Sequence, residues 1–466
     1  MSRPFFCLAA ALSLAGCAVA SHPAPDPSRY PQAFLARPAA VTSAGPFWAQ
    51  FSDPVLAGLL FQAESANGDL RSAAARLGQA RAARAGLRAT SLPEVGWSAQ
   101  AQRRSGAAMT GTVPGPRESS LFDTTFDARW ELDLFGRLDQ EARAGALDAE
   151  AAAMDAEAIR ISVLAETGRL YFAVRSLQLR LEVVGRSAVT QGELARLVRS
   201  RARSGLVPEI DAIQADALAA ASQARAHDLR AQLADTVAAL ALVAGRTAGD
   251  IDEAVAAPAA LPDVASPLLG SPADLLSRRY DIRRDIALLA SADARTAARL
   301  RDRLPRLTLT AVAGSSAMTT GSLFTAEAGI FSVVGAVAGP VLDFGRRQAA
   351  ADRALAEADE RAAILQTTVL TAIREIERDA SAVNQLGMRL QFVETEAARN
   401  RTAEQLLNAR YIAGLESLSR VLDANRQALA SAETELIVRE AQLASALSLW
   451  KSLGGPDASR SRLESR

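Results

Sequence analysis

Residues 122–137 read FDTTFDARWELDLFGR, and residues 339–346 read GPVLDFGR. In the first stretch Phe122, Thr124, Phe126, Ala128, Trp130 and Leu132 alternate with Asp123, Thr125, Asp127, Arg129, Glu131 and Asp133. Successive side chains of a strand point to opposite faces, so this period of two predicts a β-strand between an apolar and an aqueous environment. The pattern stops at Phe135-Gly136-Arg137, and that tripeptide returns at Phe344-Gly345-Arg346. The recurrence is not isolated. Asn67-Gly68-Asp69-Leu70-Arg71 lines up with Arg279-Tyr280-Asp281-Ile282-Arg283, and Leu92-Pro93 with Leu304-Pro305, at an offset of 212. Gly205-Leu206 with Gly414-Leu415, and Gly245 with Gly454, keep the offset of 209 shown by the Phe-Gly-Arg pair. Register held through so many punctuation points marks a tandem duplication.

Each copy has the same internal order. Asp53-Pro54 reads as an N-cap followed by Pro at the first helical position, Asp69 can cap the next segment, and the helical pattern runs to about Thr90. Its counterpart runs from about Pro272 to Arg303. A β-hairpin comes next. Val95, Trp97, Ala99 and Ala101 give the strand before 122–133, while Leu307, Leu309 and Ala311, then Phe331, Val333 and Val337, repeat the hairpin more weakly. Loops at 109–117 and 318–323 join the strands. From 139 to 203 there is no proline, and Val163, Thr167, Leu170, Val174, Leu177, Leu181, Val184, Ala188, Gln191, Ala195 and Val198 step by fours and threes. That is a heptad seam. A helix of this length spans on the order of 100 Å. The counterpart, about 346–411, carries Ile373, Ile376, Ala380, Val383, Gly387 and Leu390 at the same spacing. Each long helix is predicted to turn, at Gly205 or Gly414, into an antiparallel helix of about 37 residues.

The composition agrees with long helices. The chain has 466 residues, 49% hydrophobic but only 5% aromatic, with Ala abundant. Small side chains favour close helix–helix contact, and the length that suggests roughly three ordinary domains is taken up by one duplicated unit. Basic and acidic residues number 52 each, which leaves no cationic surplus for nucleic acid. A single lysine, Lys451, among the basic residues reflects base composition rather than function. With two Cys and two His, a metal site or disulfide framework has almost no material. His22 and His227 are both read as solvated, and no phosphate loop, nucleophile elbow or other catalytic constellation appears. The expectation is no enzyme, no metal and no cofactor.

The N-terminus decides the compartment. Residues 1–17, MSRPFFCLAAALSLAGC, place Arg3 before an apolar stretch too short to span a bilayer permanently. Leu14-Ala15-Gly16-Cys17 resembles the lipobox of bacterial lipoproteins, which implies cleavage before Cys17 and a covalent lipid on it; an ordinary secretory signal with a chance Cys is the alternative. Acyl chains contribute about 0.8 kcal/mol per buried methylene, so a multiply acylated Cys anchors stably. Pro23, Pro25, Pro27, Pro31, Pro38 and Pro46 make residues 18–46 an extended leash. The expected organisation is a signal at 1–16, a lipidated leash at 17–52, the first repeat at 53–250, a linker at 251–270, the second repeat at 271–454 and a flexible tail at 455–466.

Four strands cannot close a membrane barrel, which needs roughly eight or more. An open sheet also leaves two bare edges. The chain is therefore expected to associate, with the charged strand face towards water and Phe122, Phe126 and Trp130 towards lipid. A soluble β-layer over a coiled-coil bundle is the competing possibility.

Several motifs together carry a family likeness: Trp48-Ala-Gln-Phe-Ser-Asp-Pro-Val-Leu, Trp130-Glu-Leu-Asp-Leu-Phe-Gly-Arg, Gly339-Pro-Val-Leu-Asp-Phe-Gly-Arg, Ala409-Arg-Tyr-Ile-Ala-Gly and Val421-Leu-Asp-Ala-Asn-Arg. They resemble the TolC-like outer-membrane efflux channels and, within these, the lipoprotein branch of NodT-type factors of resistance–nodulation–division pumps. The resemblance covers essentially the whole mature chain. It implies a mostly α fold with membrane β: a homotrimer whose 12-stranded β-barrel in the outer membrane is continued by a 12-helix periplasmic α-barrel. It further implies a passive exit duct for small toxic compounds, partnered by a periplasmic adaptor and an inner-membrane efflux transporter. Where the family commonly shows Arg-Arg-Pro-Asp-Ile-Arg, this chain has Tyr280 in place of the Pro.

In that family the tunnel narrows at the tip turns, here Gly205 and Gly414. Six positions past each Gly the family often places Asp, and nine past the second another; these are Asp211, Arg420 and Asp423, with Gln214 at the remaining place. The expectation is that Asp211 and Arg420 meet at the constricted tip and hold it closed, with Tyr411 packed at the turn. Solvated helix-surface charges, and an ordinary core tyrosine, are the alternatives. At the level of function, a type I secretion duct and a lipid-anchored periplasmic coiled-coil scaffold remain beside the efflux duct.

Overall fold

The Asp53-Pro54 cap forms as its sequence predicts. The Asp53 carboxylate accepts from the backbone N–H of Val55 (2.9 Å) and Leu56 (3.2 Å), opening α1 (Pro54–Ala66). The next segment, expected to be capped by Asp69 and to reach about Thr90, follows Asn67, whose extended backbone ends α1 and whose side chain caps α2 (Gly68–Ala89) by accepting from Asp69 (2.8 Å) and Leu70 (3.1 Å). The cap is thus Asn67. Asp69 lies inside the first turn, where its charge faces the positive end of the helix. The computed structural model describes residues 22–23, 26–31, 33–35, 47–105, 109–110, 113–114, 118–257, 259–263, 269 and 271–455.

The first copy continues through β1 (Glu94–Ser105), the two-residue strands β2 (Met109–Thr110) and β3 (Val113–Pro114), β4 (Glu118–Leu132), α3 (Arg137–Arg203), α4 (Glu209–Ala244) and the short α5 (Ala248–Ala254). The second runs through α6 (Leu275–Arg278), α7 (Tyr280–Arg301), β5 (Arg306–Ala317), β6 (Gly329–Ala338), α8 (Arg346–Ile412) and α9 (Leu418–Ser452). Both long helices have 67 residues, and the return helices have 36 and 35. The chain divides into two units, one of Met1–Ala24, Arg76–Ala153 and Arg284–Gln366, the other of Pro25–Ala75, Met154–Arg283 and Thr367–Arg466.

The first unit holds a four-stranded antiparallel sheet in the order β1-β4-β5-β6. Its register places Trp97, Phe126, Ala313 and Phe331 in one row across all four strands, and Val95, Ala128, Ala311 and Val333 in the next. Because faces alternate, these rows share one largely apolar face, interrupted by the Thr124–Ser315 pair and by Arg103 and Ser120 towards the strand ends. The other carries Ser98, Gln100, Asp123, Thr125, Asp127, Arg129, Thr308 and Thr310. On that polar face Ser98 and Thr125 donate to Asp127 (3.1 and 3.0 Å), and Ser316 donates to Asp123 (2.5 Å). β6 departs from the pattern, with Ile330, Val334 and Ala336 on the polar side.

Helices in this unit meet through alanine. Ala144, Ala149 and Ala151 of α3, Ala287, Ala292, Ala294 and Ala298 of α7, and Ala351, Ala354 and Ala358 of α8 are all buried. The first Phe-Gly-Arg arginine joins strand to helix: Arg137 pairs with Glu131 (2.8 Å), Glu141 (3.2 Å) and Asp302 (3.5 Å).

The second unit is built on the heptad seams. Val163, Thr167, Leu170, Val174, Leu177, Val184, Gln191, Ala195 and Val198 are buried as their spacing predicts, as are Ile376, Ala380, Val383 and Leu390. Its largest cluster includes Phe47, Phe51, Tyr171, Phe172 and Trp450, with the Phe47 and Trp450 rings stacked 5.7 Å apart. Phe47–Phe51, expected as the end of the leash, is therefore a 3-10 turn built into the core. The expected linker is also docked at its start, since buried Arg175 donates to the Val255 and Ala257 carbonyls (2.8 and 2.7 Å). Most of the expected tail lies outside the described residues.

Candidate functional site

The two helix hairpins end in the same turn. Gly205 (φ 70°) and Gly414 (φ 75°) take the left-handed conformation that stops a helix at low cost only without a Cβ. In the first turn Gly205 N–H donates to Ala202 O (2.9 Å) and Leu206 N–H to Arg201 O (2.9 Å); in the second Gly414 N–H donates to Tyr411 O (3.0 Å) and Leu415 N–H to Arg410 O (2.9 Å). The next residues, Leu206 and Leu415, are 73% and 68% exposed, so each hairpin presents an apolar residue at its end.

Behind the turns, Tyr411 is buried with Val198, Ala212, Ala215, Leu418 and Val421, and the Arg201 guanidinium lies 5.4 Å from the centre of its ring. The Tyr411 hydroxyl has no hydrogen-bond partner among the described residues. Asp211 stands half-buried in the first turn of α4, where a negative charge suits the helix end. Arg420 pairs with Glu416 (3.0 Å), and Asp423 with Arg426 (3.3 Å). Within the described residues of one chain, Asp211 and Arg420 form no ion pair.

Glu416 is the tip residue that sequence reasoning missed. Its side chain is 10% exposed and lies between Arg420 and Arg410 (3.9 Å), one on each side of the turn. The Ser417 N–H (3.1 Å), then Arg420 and Arg410, hold its carboxyl below the ordinary carboxylate range. Glu416 lies in the turn before α9, so the signal was only a Glu just ahead of a helix start with an Arg in the first turn of that helix.

Cys17 lies outside the described residues. Five positions on, His22 is not solvated as expected. Its Nδ1 lies 2.8 Å from Asp293 Oδ1, its Nε2 3.0 Å from Asp359 Oδ1, and its backbone N–H donates to Asp293 Oδ2 at 3.0 Å. Further along, Leu35 N–H donates to Glu377 (2.7 Å). No helix among the described residues is long and apolar enough to cross a membrane, which says nothing of the sheet.

The family model described as outer membrane efflux protein matches residues 59–246 and again 272–455, one match per copy. The chain belongs to the outer membrane efflux protein family. Among its relatives, the pyoverdine export outer membrane protein OpmQ of Pseudomonas putida is 30% identical, over 88% of this chain and 87% of that one. The toluene efflux pump outer membrane protein TtgF of Pseudomonas putida is 28% identical over 98% and 97%. Among solved structures, the outer-membrane channel OprN superposes with a TM-score of 0.82 at 28% identity, covering 94% of this chain and 97% of that one. This efflux protein is thus an outer-membrane channel component, and its duplication, sheet and paired hairpins are those of the family's fold.

Proposed function

We propose that three copies of this efflux protein assemble into one passive duct, whose three sheets of four strands close a 12-stranded barrel and whose helices wall a 12-helix tunnel. The observation that supports this most directly is the sheet itself. Four antiparallel strands with one largely apolar face and two unpaired edges, β1 and β6, are unstable as an open sheet in a membrane, since each unpaired backbone group there costs several kcal/mol. Pairing β6 of one copy with β1 of the next removes every edge.

The duct serves a tripartite pump. A periplasmic adaptor docks at the hairpin tips, an inner-membrane transporter supplies the energy, and the cargo is small toxic compounds, a reading supported by the toluene named for one relative. Cys17 carries the lipid that holds the N-terminus in the outer membrane. Asp211 and Arg420 face each other across neighbouring chains and narrow the tip, while Tyr411 and Asp423 support the turn beside them. The duct performs no catalytic step.

Heat-modifiable, detergent-stable trimers that form pores in planar bilayers are the expected result for the purified protein. A monomer or dimer without pore activity would point to the scaffold alternative. Single-channel conductance of Asp211→Ala and Arg420→Ala tests the tip, where a larger conductance is expected and wild-type conductance in both variants excludes the gate. The intact mass of the mature N-terminus tests the lipid on Cys17.

A further inference from the structure

His22 is the first described residue after the proposed lipid anchor, and it is held by two different helices of its unit. Asp293 comes from α7 and Asp359 from α8, and each presents a carboxylate oxygen to a different ring nitrogen, at 2.8 and 3.0 Å. A neutral imidazole has one N–H donor and one bare nitrogen, so it can satisfy only one of two acceptors. The imidazolium donates to both. The His22 side chain is 20% exposed and that of Asp293 15%, so the inner bond is shielded while Asp359, at 67%, stands in water. Among the described residues, the charged groups that act on the ring are these two carboxylates, and no arginine or lysine pairs with either.

We propose that His22, Asp293 and Asp359 form a proton-dependent clasp that sets the tether length of the lipidated N-terminus. This rests on Cys17 being the acylated residue. With the clasp closed, only five residues separate the anchor from the helical wall, a reach of at most about 17 Å. The next described hydrogen bond from the leader to a helix is Leu35 N–H to Glu377, so an open clasp frees eighteen residues, at most about 60 Å of chain. Proton binding thus shortens the leash.

The sign is set by the bonds. The Asp293 hydrogen bond, opposed by partial burial and helped by Asp359, raises the His22 value above 6.5. The clasp is therefore complete below that ordinary value and loosens as pH rises through the raised one.

The chain has only two histidines, so the full-length protein labelled with carbon-13 at histidine Cε1 gives two resonances, and His227→Gln identifies the other. The expected result is a His22 titration midpoint above 6.5 that moves down in both Asp293→Asn and Asp359→Asn. Hydrogen exchange of the His22 amide, corrected for intrinsic base catalysis, is expected to accelerate across the same midpoint and to lose its pH dependence in His22→Gln. A midpoint at or below 6.5, or one unmoved by both carboxamide variants, overturns the clasp. An unacylated Cys17 beside the expected titration overturns the tether role and, separately, the anchor itself.

Discussion

Replacing Asn67 with Ala should weaken the chain far more than an ordinary loop substitution, and the structure says by how much. Asn67 is 4% exposed and works in two directions. Its Oδ1 caps α2 through the N–H groups of Asp69 and Leu70, at 2.8 and 3.1 Å. Its Nδ2 donates to Val243 O at 2.8 Å, one of the carbonyls that α4 leaves without a helical partner at its end. Loss of the cap costs about 1 kcal/mol. Leaving the Val243 carbonyl without its partner adds about 1–3 kcal/mol. The expected total is about 2–4 kcal/mol per chain. Asn67→Ser separates the two contributions, because its hydroxyl can still cap α2 but is too short to reach Val243 O. It should recover about 1 kcal/mol of the loss. Denaturant unfolding of purified protein in detergent, monitored by far-UV circular dichroism, measures both variants at one pH and protein concentration. If Asn67→Ala lies within about 0.5 kcal/mol of wild type, the magnitude of an ordinary surface change, the junction does not hold the helices together as argued. If Ser and Ala are equal, the cap contributes nothing.

The second copy gives a sharper case. Arg279 occupies the place of Asn67 and donates to Ser452 O (2.9 Å), but it also pairs with Asp281 (2.6 Å) and Glu375 (2.9 Å); Arg279→Asn removes both ion pairs, although Asp281 keeps the Ile282 N–H (2.9 Å), and should cost about 2–3 kcal/mol in the same unfolding assay. Gly314→Ala would place a Cβ 2.1 Å from Thr124 O and 2.7 Å from Thr125 Cα on the neighbouring strand, so it should abolish accumulation of folded protein in outer-membrane fractions; Gly335→Ala, with nothing within 4 Å, should accumulate normally. Burial, then the hydrogen bond to Asp53, pushes the Tyr171 phenol up to about 12 from 10.0, against the pull of Arg175. A raised folded value means that the contribution is whole below pH 10 and is lost between pH 10 and about 12, so wild-type denaturant midpoints should fall across that window more steeply than those of Tyr171→Phe.

The architecture was legible because its signals are periodic or repeated. The alternation from Phe122 to Leu132 and the seam from Val163 to Val198 each arise from backbone geometry alone, and both appear in the structure where the sequence puts them. Contacts between distant segments were not legible in the same way. His22 looked solvated because its partners lie 271 and 337 residues away and share no motif with it. The aromatic turn at Phe47–Phe51 looked like leash because six prolines precede or adjoin it, yet Trp48 and Phe51 fill space beside Trp450 and Phe172. At the tip, the family's Asp positions drew the eye to Asp211 and Arg420, while the side chain that grips Arg420 within the chain is Glu416. Pattern locates elements; burial and partner choice depend on what the fold brings alongside.

The two copies also show which features duplication can alter. Gly245 and Gly454 both sit at positive φ, and a Cβ on them would lie 2.7 Å from Ala66 O and 2.9 Å from Arg278 O, the last residues of equivalent helices. Neither glycine can change without moving a backbone, so both remain glycine. One residue further, the requirement is only a donor that reaches the end of the return helix. Asn67 meets it with an amide and Arg279 with a guanidinium, from the same place in each copy. The guanidinium is longer and charged, so it needs carboxylates, and Asp281 and Glu375 supply them; the first copy has Asp69 at the place of Asp281, used there within a helix's first turn. Backbone geometry is therefore common to the copies, whereas the chemistry that satisfies it is free to diverge.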